Sequence, residues 1–200
     1  MVKGSMDPKT FAIDFIKTWE GKLSLDKDDA GNWSGGKKGV GALIGSNYGV
    51  TPAALAKHRN VSVGGISASA MANLTLDEAA DIALSLYYYA PKLNLLPWNR
   101  VTASLFDAGW GMGPAQAIKL WQRLIGVSDD GKIGPATAAA SSAYRSKVTE
   151  EGAAAQWGIE RILFYISISQ PPSSNIKYLK GWTNRTRYFL PGGEWWTKFA

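Results

Sequence analysis

Apolar positions along this chain recur mostly at intervals of three and four residues, the spacing that builds one face of a helix. Phe11, Phe15 and Trp19 repeat every four residues with Ala12 and Ile16 beside them, Asp7 offers a cap and Pro8 suits a first helical position. Gly21 reads as the stop. From 22 to 50 the periodicity vanishes into a Gly-, Asp- and Lys-rich run ending in GSNYGVT, which predicts a long loop or a β-hairpin excursion. TPAALAKHR resumes as a short helix capped by Thr51, and SVGGISASAMAN reads as a small-residue connector. TLDEAADIALSLYYYA predicts a longer helix, with a capping box of Thr75 and Glu78 ahead of the stripe Leu76, Ala79, Ala80, Ala83, Leu84 and Tyr87.

The second half continues in the same manner. NRVTASLFDAG predicts a helix broken by GMG, and PAQAIKLWQRLIG follows with Pro114 first and Gly126 last. SDDGKIGPAT reads as a polar turn opening another helix, and EEGAAAQWGIERILFYISIS as a long helix halted by Pro171 and Pro172. The aromatic, basic tail from 177 to 199 predicts only a short helix. The expected fold is mainly α, with residues 7–97 and 98–200 as two halves packed into one globule; MVKGSM at the start is set aside.

Composition narrows the chemistry. There is no cysteine, hence no disulfide framework and no thiol nucleophile, and one histidine, His58, is too few for the usual zinc site. A Ser-His-Asp triad would have to use His58, whose polar AKHRN setting reads as surface. The net charge of +6 and pI of about 9.4 suit an anionic polymer. The cations are scattered and form no stripe, which argues against a nucleic-acid partner. No apolar run approaches the roughly 18 residues of a membrane span, and no apolar leader is visible at the N-terminus.

The first helix ends in WEG, and three aspartates follow: Asp26, Asp28 and Asp29. A pair of carboxyl groups is what glycosidic cleavage requires, about 5 Å apart in retaining enzymes and about 6.5–9.5 Å in inverting ones. The acid has to keep its proton near neutral pH. A helix C-terminus beside an indole disfavours the charged carboxylate, which suits Glu20. An aspartate in a polar, Gly-rich loop stays ionised, so Asp26 and Asp29 are candidate partners. A solvated helix end followed by an acidic loop would look the same, so carboxylates alone decide nothing.

WEG, the loop D-x-x-D-x-G at Asp26, Asp29 and Gly31, and SNYGVT at 46–51 together resemble the EGGY-motif muramidases, glycoside hydrolase family 108. LFDAGWGMGPAQAIKLWQRLIGVSDDGKIGPAT and the KGWTNRTRYF ending resemble the predicted peptidoglycan-binding region that accompanies that family. The resemblance runs from about residue 10 to 190. It implies a lysozyme-like helical fold and cleavage of peptidoglycan between N-acetylmuramic acid and N-acetylglucosamine, as in many phage endolysins. It further implies Glu20 as general acid, Asp29 or else Asp26 as second carboxylate, Ser46 helping to hold a water, and Asn47 and Tyr48 lining the saccharide cleft. The family's second glycine and tyrosine are Lys22 and Leu23 here, and NWSGGKKGVGALIG is inserted before SNYG.

Among nine tryptophans, Trp121 and Trp157 lie in amphipathic helices and read as core, whereas Trp33 in a polar loop and Trp110 between glycines are candidate sugar contacts. Arg185 either binds stem-peptide carboxylates or pairs with an acid inside the fold. DDGKIG lacks the alternating acids and terminal glutamate of a calcium loop and reads as a turn. No cofactor or metal is expected. Peptidoglycan is the expected partner, the protein a monomer without membrane insertion, made in a bacterial cytoplasm and acting on the wall. A lytic transglycosylase and a non-catalytic wall-binding module are the rival expectations.

Overall fold

The computed structural model describes residues 6–198. Those residues form ten α-helices and no β-strand, so the fold is mainly α. They are α1 (Pro8–Trp19), α2 (Pro52–Arg59), α3 (Ala68–Ala72), α4 (Leu76–Ala83), α5 (Arg100–Met112), α6 (Pro114–Leu124), α7 (Pro135–Arg145), α8 (Glu150–Ile168), α9 (Ile176–Tyr188) and α10 (Glu194–Lys198). The chain divides into two compact units: Pro8–Tyr88, and the chain from Tyr89 onwards together with Met6 and Asp7.

In the first unit α1 packs on α4. Phe11, Ala12, Phe15 and Ile16 bury their side chains against a face that includes Ala79, Ala80, Ile82 and Ala83. Small residues on α4 let the large rings of α1 approach, and each buried ring contributes about 1.5–3 kcal/mol. Lys9 bridges the pair from outside, 3.0 Å from Asp77 and 2.9 Å from Asp81. Thr75 caps α4, accepting from the Glu78 amide at 3.1 Å, but the Glu78 carboxylate turns to Arg59 of α2 at 3.1 Å instead of closing the box. The helix then widens into a π-turn at Leu84–Tyr89. The expected connector at 62–73 holds a 3₁₀ turn and α3, whose first turn is capped by Ser67 through the Ala70 amide at 3.0 Å.

The second unit is built around α5, which is buried from Val101 to Gly109 and contacts α6 and α8. Asn99 caps it, taking the Thr102 amide at 3.0 Å. Trp121 and Trp157 are core as expected, their rings edge-on at 6.1 Å. The DDGKIG turn is fastened by buried Gln122. Its amide nitrogen donates to Asp130 Oδ1 at 2.8 Å and to the Lys132 carbonyl at 3.0 Å, while its Oε1 accepts from the Gly131 amide at 2.8 Å. The tail differs from expectation, since α9 runs 13 residues. With Gly181 mid-helix and no side-chain cap, its stability comes from packing. Trp182 stacks on Tyr165 of α8 at 5.0 Å, and Arg185 reaches Asp107 of α5.

Candidate active site

The excursion at 22–50 carries hairpin pairing in the form of three isolated antiparallel bridges: Ser24 with Ser46, Trp33 with Leu43, and Asn47 with Val50. Glycines interrupt the ladder too often for a strand to propagate. At the base, Ser24 and Ser46 exchange amide-to-carbonyl bonds of 2.8 and 3.1 Å, and the Tyr48 amide donates to the Gly21 carbonyl at 3.0 Å. Gly45 makes that base possible. Its φ is +83°, and a Cβ there would lie 2.7 Å from the Ser24 carbonyl oxygen.

Glu20 is the first residue past α1, its amide still bonded to the Ile16 carbonyl at 2.9 Å. The helix therefore fixes its backbone, and the Gly21–Tyr48 bond sets the 46–48 segment beside it. Glu20 and Trp19 are both half-buried.

Asp29 begins a 3₁₀ turn, Ala30–Asn32, and caps it: Oδ1 accepts from the Gly31 amide at 2.8 Å. Its second oxygen has no hydrogen bond among the described residues, so a held carboxylate keeps one acceptor for solvent. Asp26 Oδ1 accepts from the Asp28 amide at 2.9 Å, and Asp28 pairs with Lys38 of the hairpin tip. Asn32 opens the inserted NWSGGKKGVGALIG, and its sequence context predicts no role for it. It is fully buried, its amide donates to the Asp26 carbonyl at 2.9 Å, and its own carbonyl accepts the amides of Ile44 and Gly45, both at 3.0 Å. It ties the acidic loop to the returning arm; an asparagine flanked by glycine and tryptophan was its only trace in the sequence.

Ser46 is half-buried and its hydroxyl has no partner among the described residues. Asn47 differs from the expected cleft-lining role: only 5 % exposed, it turns inward and donates to the Met71 carbonyl at 2.9 Å. It anchors a two-residue turn in which Tyr48 (φ 51°) and Gly49 (φ 75°) both take left-handed backbone, closed by Asn47–Val50 bonds of 3.1 and 2.9 Å. A tyrosine held left-handed is uncommon and is sustained by the surrounding bonds. Trp33 is half-buried beside its bridge to Leu43, its indole N–H donating to the Lys27 carbonyl at 3.0 Å.

Glu20, Asp26, Asp29, Trp33, Ser46, Asn47 and Tyr48 thus belong to one unit, Pro8–Tyr88. Trp110 and Arg185 belong to the other. Trp110 is half-buried near the end of α5, next to Gly109, which lies against Pro114 of α6. Arg185 donates to Asp107 Oδ1 at 2.9 Å, the internal pairing of its two expected roles. Buried Arg161 takes the other oxygen of Asp107 at 2.9 Å and also donates to the Ser104 hydroxyl at 2.9 Å.

Two family models match the chain in succession, and the first runs past the boundary between the two units at Tyr88. The family described as Glycosyl hydrolase 108 matches residues 13–113, and the Predicted Peptidoglycan domain matches residues 116–187. Among solved structures the chain is similar to one titled Structure of Brucella abortus SagA, at 24 % identity and a TM-score of 0.70, over 94 % of this chain and 96 % of that one. No curated protein matches.

Proposed function

The chain belongs to glycosyl hydrolase family 108, and from that membership we propose that it cleaves the β-1,4 bond between N-acetylmuramic acid and N-acetylglucosamine with Glu20 as proton donor. It is a lysozyme-like glycoside hydrolase with a peptidoglycan-binding domain, acting on peptidoglycan. The observation that carries the assignment is the Tyr48–Gly21 bond beside a carboxylate fixed at the end of α1. It joins the acid's neighbour to the segment that bears Ser46.

In the proposed reaction Glu20 protonates the glycosidic oxygen as positive charge develops at the sugar C1. Asp29, steadied by the Gly31 amide, uses its open oxygen to accept a proton from an attacking water or to stabilise C1. The Ser46 hydroxyl helps to hold that water. Trp33 and Tyr48 are proposed to contact sugar rings, and Asn47 supports Tyr48 from beneath. Trp110 and Arg185 are kept as wall contacts of the second unit, with Arg185 reaching any ligand through a guanidinium already shared with Asp107. The two units, with the boundary near residues 88–97, are read as a catalytic half and a wall-binding half. The biological role proposed is lysis of a bacterial host by a phage, by a monomer reaching the wall from the cytoplasm.

The test is mass spectrometry of fragments released from purified peptidoglycan by the wild type and by Glu20→Gln. Hydrated, reducing N-acetylmuramic acid ends that disappear in the variant are expected. Anhydro ends would make the protein a lytic transglycosylase, and reducing ends undiminished in the variant would remove Glu20 from its role. The anomer released reports the second carboxylate: α follows direct attack by water, β follows a covalent intermediate.

A further inference from the structure

At the C-terminal end of α9 the second unit opens a groove of about 410 Å³, within the size range of small-ligand sites. Its lining includes Asn184, Arg187, Tyr188, Gly192, Gly193 and Glu194. The stretch matched by the peptidoglycan domain stops at residue 187, so the glycine wall and Glu194 lie beyond it.

The groove owes its shape to the chain turning sharply after α9. Gly192 has φ +81°, and a Cβ on Gly193 would fall 2.5 Å from the carbonyl oxygens of both Arg187 and Tyr188. No other residue lets the backbone press so closely on the end of the helix. Tyr188 is buried, and its hydroxyl accepts from Lys198 at 2.9 Å. The charges are on the walls. Arg187 is exposed and its side chain has no hydrogen bond or ion pair among the described residues, so a planar fork of five donors faces solvent. Glu194 has one charged contact, to Lys198 at 3.5 Å with both side chains exposed, and such a pair contributes little.

We propose that this groove binds an amino-acid end that carries both an ammonium and a carboxylate, as the free end of a diamino acid in a peptidoglycan stem does. The proposal rests on the reading of peptidoglycan as substrate. Arg187 matches a carboxylate in bidentate fashion, and Glu194 receives the ammonium. Asn184, also on the lining, supplies a neutral donor and acceptor. Opposite charges on one groove discriminate: a polyanion meets Glu194 as a repulsive wall, and an uncharged sugar leaves both ions unmatched.

The probe is the tripeptide L-Ala–γ-D-Glu–meso-diaminopimelate, titrated into the full chain by calorimetry and by amide chemical shifts. Saturable binding is expected, with shifts clustered at 184–194. Arg187→Ala should weaken it about tenfold or more, the scale of one charge-assisted bidentate contact, and Arg187→Lys should restore only part. Replacing meso-diaminopimelate by L-lysine deletes the matching carboxylate, so this probe should bind the wild type as weakly as the full tripeptide binds Arg187→Ala, with no added loss in the variant. Glu194→Gln should weaken the full tripeptide as well. Equal affinity for free D-alanine would assign the groove to a free amino acid and overturn the wall source. No saturable binding, or wild-type affinity in a folded Arg187→Ala, would overturn the subsite. The readout involves no bond cleavage. An inactive enzyme that binds the tripeptide therefore removes the muramidase reading and keeps the subsite, and an active enzyme that ignores the tripeptide does the reverse.

Discussion

The Tyr48 amide donates to the Gly21 carbonyl at 3.0 Å, binding the residue after the proposed acid to a turn whose first central residue has left-handed backbone. A single main-chain bond thus couples the end of α1 to the 46–48 segment. Side chains on either part can change while their spacing is kept.

The second carboxylate can be identified by substitution. Asp29→Asn keeps an acceptor for the Gly31 amide but removes the charge. It is expected to lower the rate about 10²- to 10⁴-fold with an unchanged melting temperature. Asp26→Asn, measured alongside by release of reducing ends, should lose far less. A reversal of the two effects would transfer the role to Asp26.

Gly45→Ala should injure the site from outside it. The new methyl would meet the Ser24 carbonyl at 2.7 Å on left-handed backbone, opening the Ser24–Ser46 pairing. A stability loss of about 1–3 kcal/mol is expected, with activity falling further than stability explains. Urea denaturation with parallel rate measurements checks both parts.

In the second unit the pairing of Asp107 with Arg161 is fully buried. Asp107→Ala leaves the Arg161 charge buried without its carboxylate and should cost about 3–5 kcal/mol. Arg185→Ala should cost much less, because Arg185 is partly exposed and Asp107 keeps Arg161. Equal losses in urea titrations would contradict this ranking.

Acid should weaken the DDGKIG turn. The Gln122 amide, followed by the Lys132 N–H, holds the Asp130 carboxyl below its ordinary 3.8, and Arg123 does the same for Asp129. A depressed folded value contributes stability above the unfolded pKa, and that contribution is lost as pH falls through the folded one. The melting-temperature advantage of wild type over Asp130→Asn should therefore hold from pH 7 to about 4 and shrink below it. An advantage unchanged at pH 3 would refute the linkage.

The helices were legible where local and tertiary signals agreed. In α1, Phe11 and Phe15 repeat at helical spacing and are both buried. Thr51, Thr75 and Asn99 cap through their own side chains. The sequence hid α9 because its stability is non-local: Trp182 needs Tyr165, and Arg185 needs Asp107, 78 residues away. Similar reasons govern the site. Glu20 and Asp29 stand out as carboxylates in a helix-to-loop pattern. Asn32 acts through carbonyls and amides of remote residues, and no spacing announces that. Asn47 was legible as part of a motif but not as an inward-facing anchor, because motifs record identity and not direction.

The tip of the excursion is closed almost entirely by its own main chain. Ser34 donates to the Ala42 carbonyl at 2.9 Å, Gly35 to that of Val40 at 3.0 Å, and Val40 to that of Lys37 at 3.0 Å. Lys37, Lys38 and Val40 project from this frame with exposed side chains, and the Lys38–Asp28 pair is of the surface kind that adds little. The tip therefore behaves as an interchangeable cassette. Its shape is held by main-chain bonds, so its surface charge can be rewritten without unmaking the tip, and Lys38, paired with Asp28 and electrostatically coupled to Asp26, is the position through which such a change reaches the acidic loop.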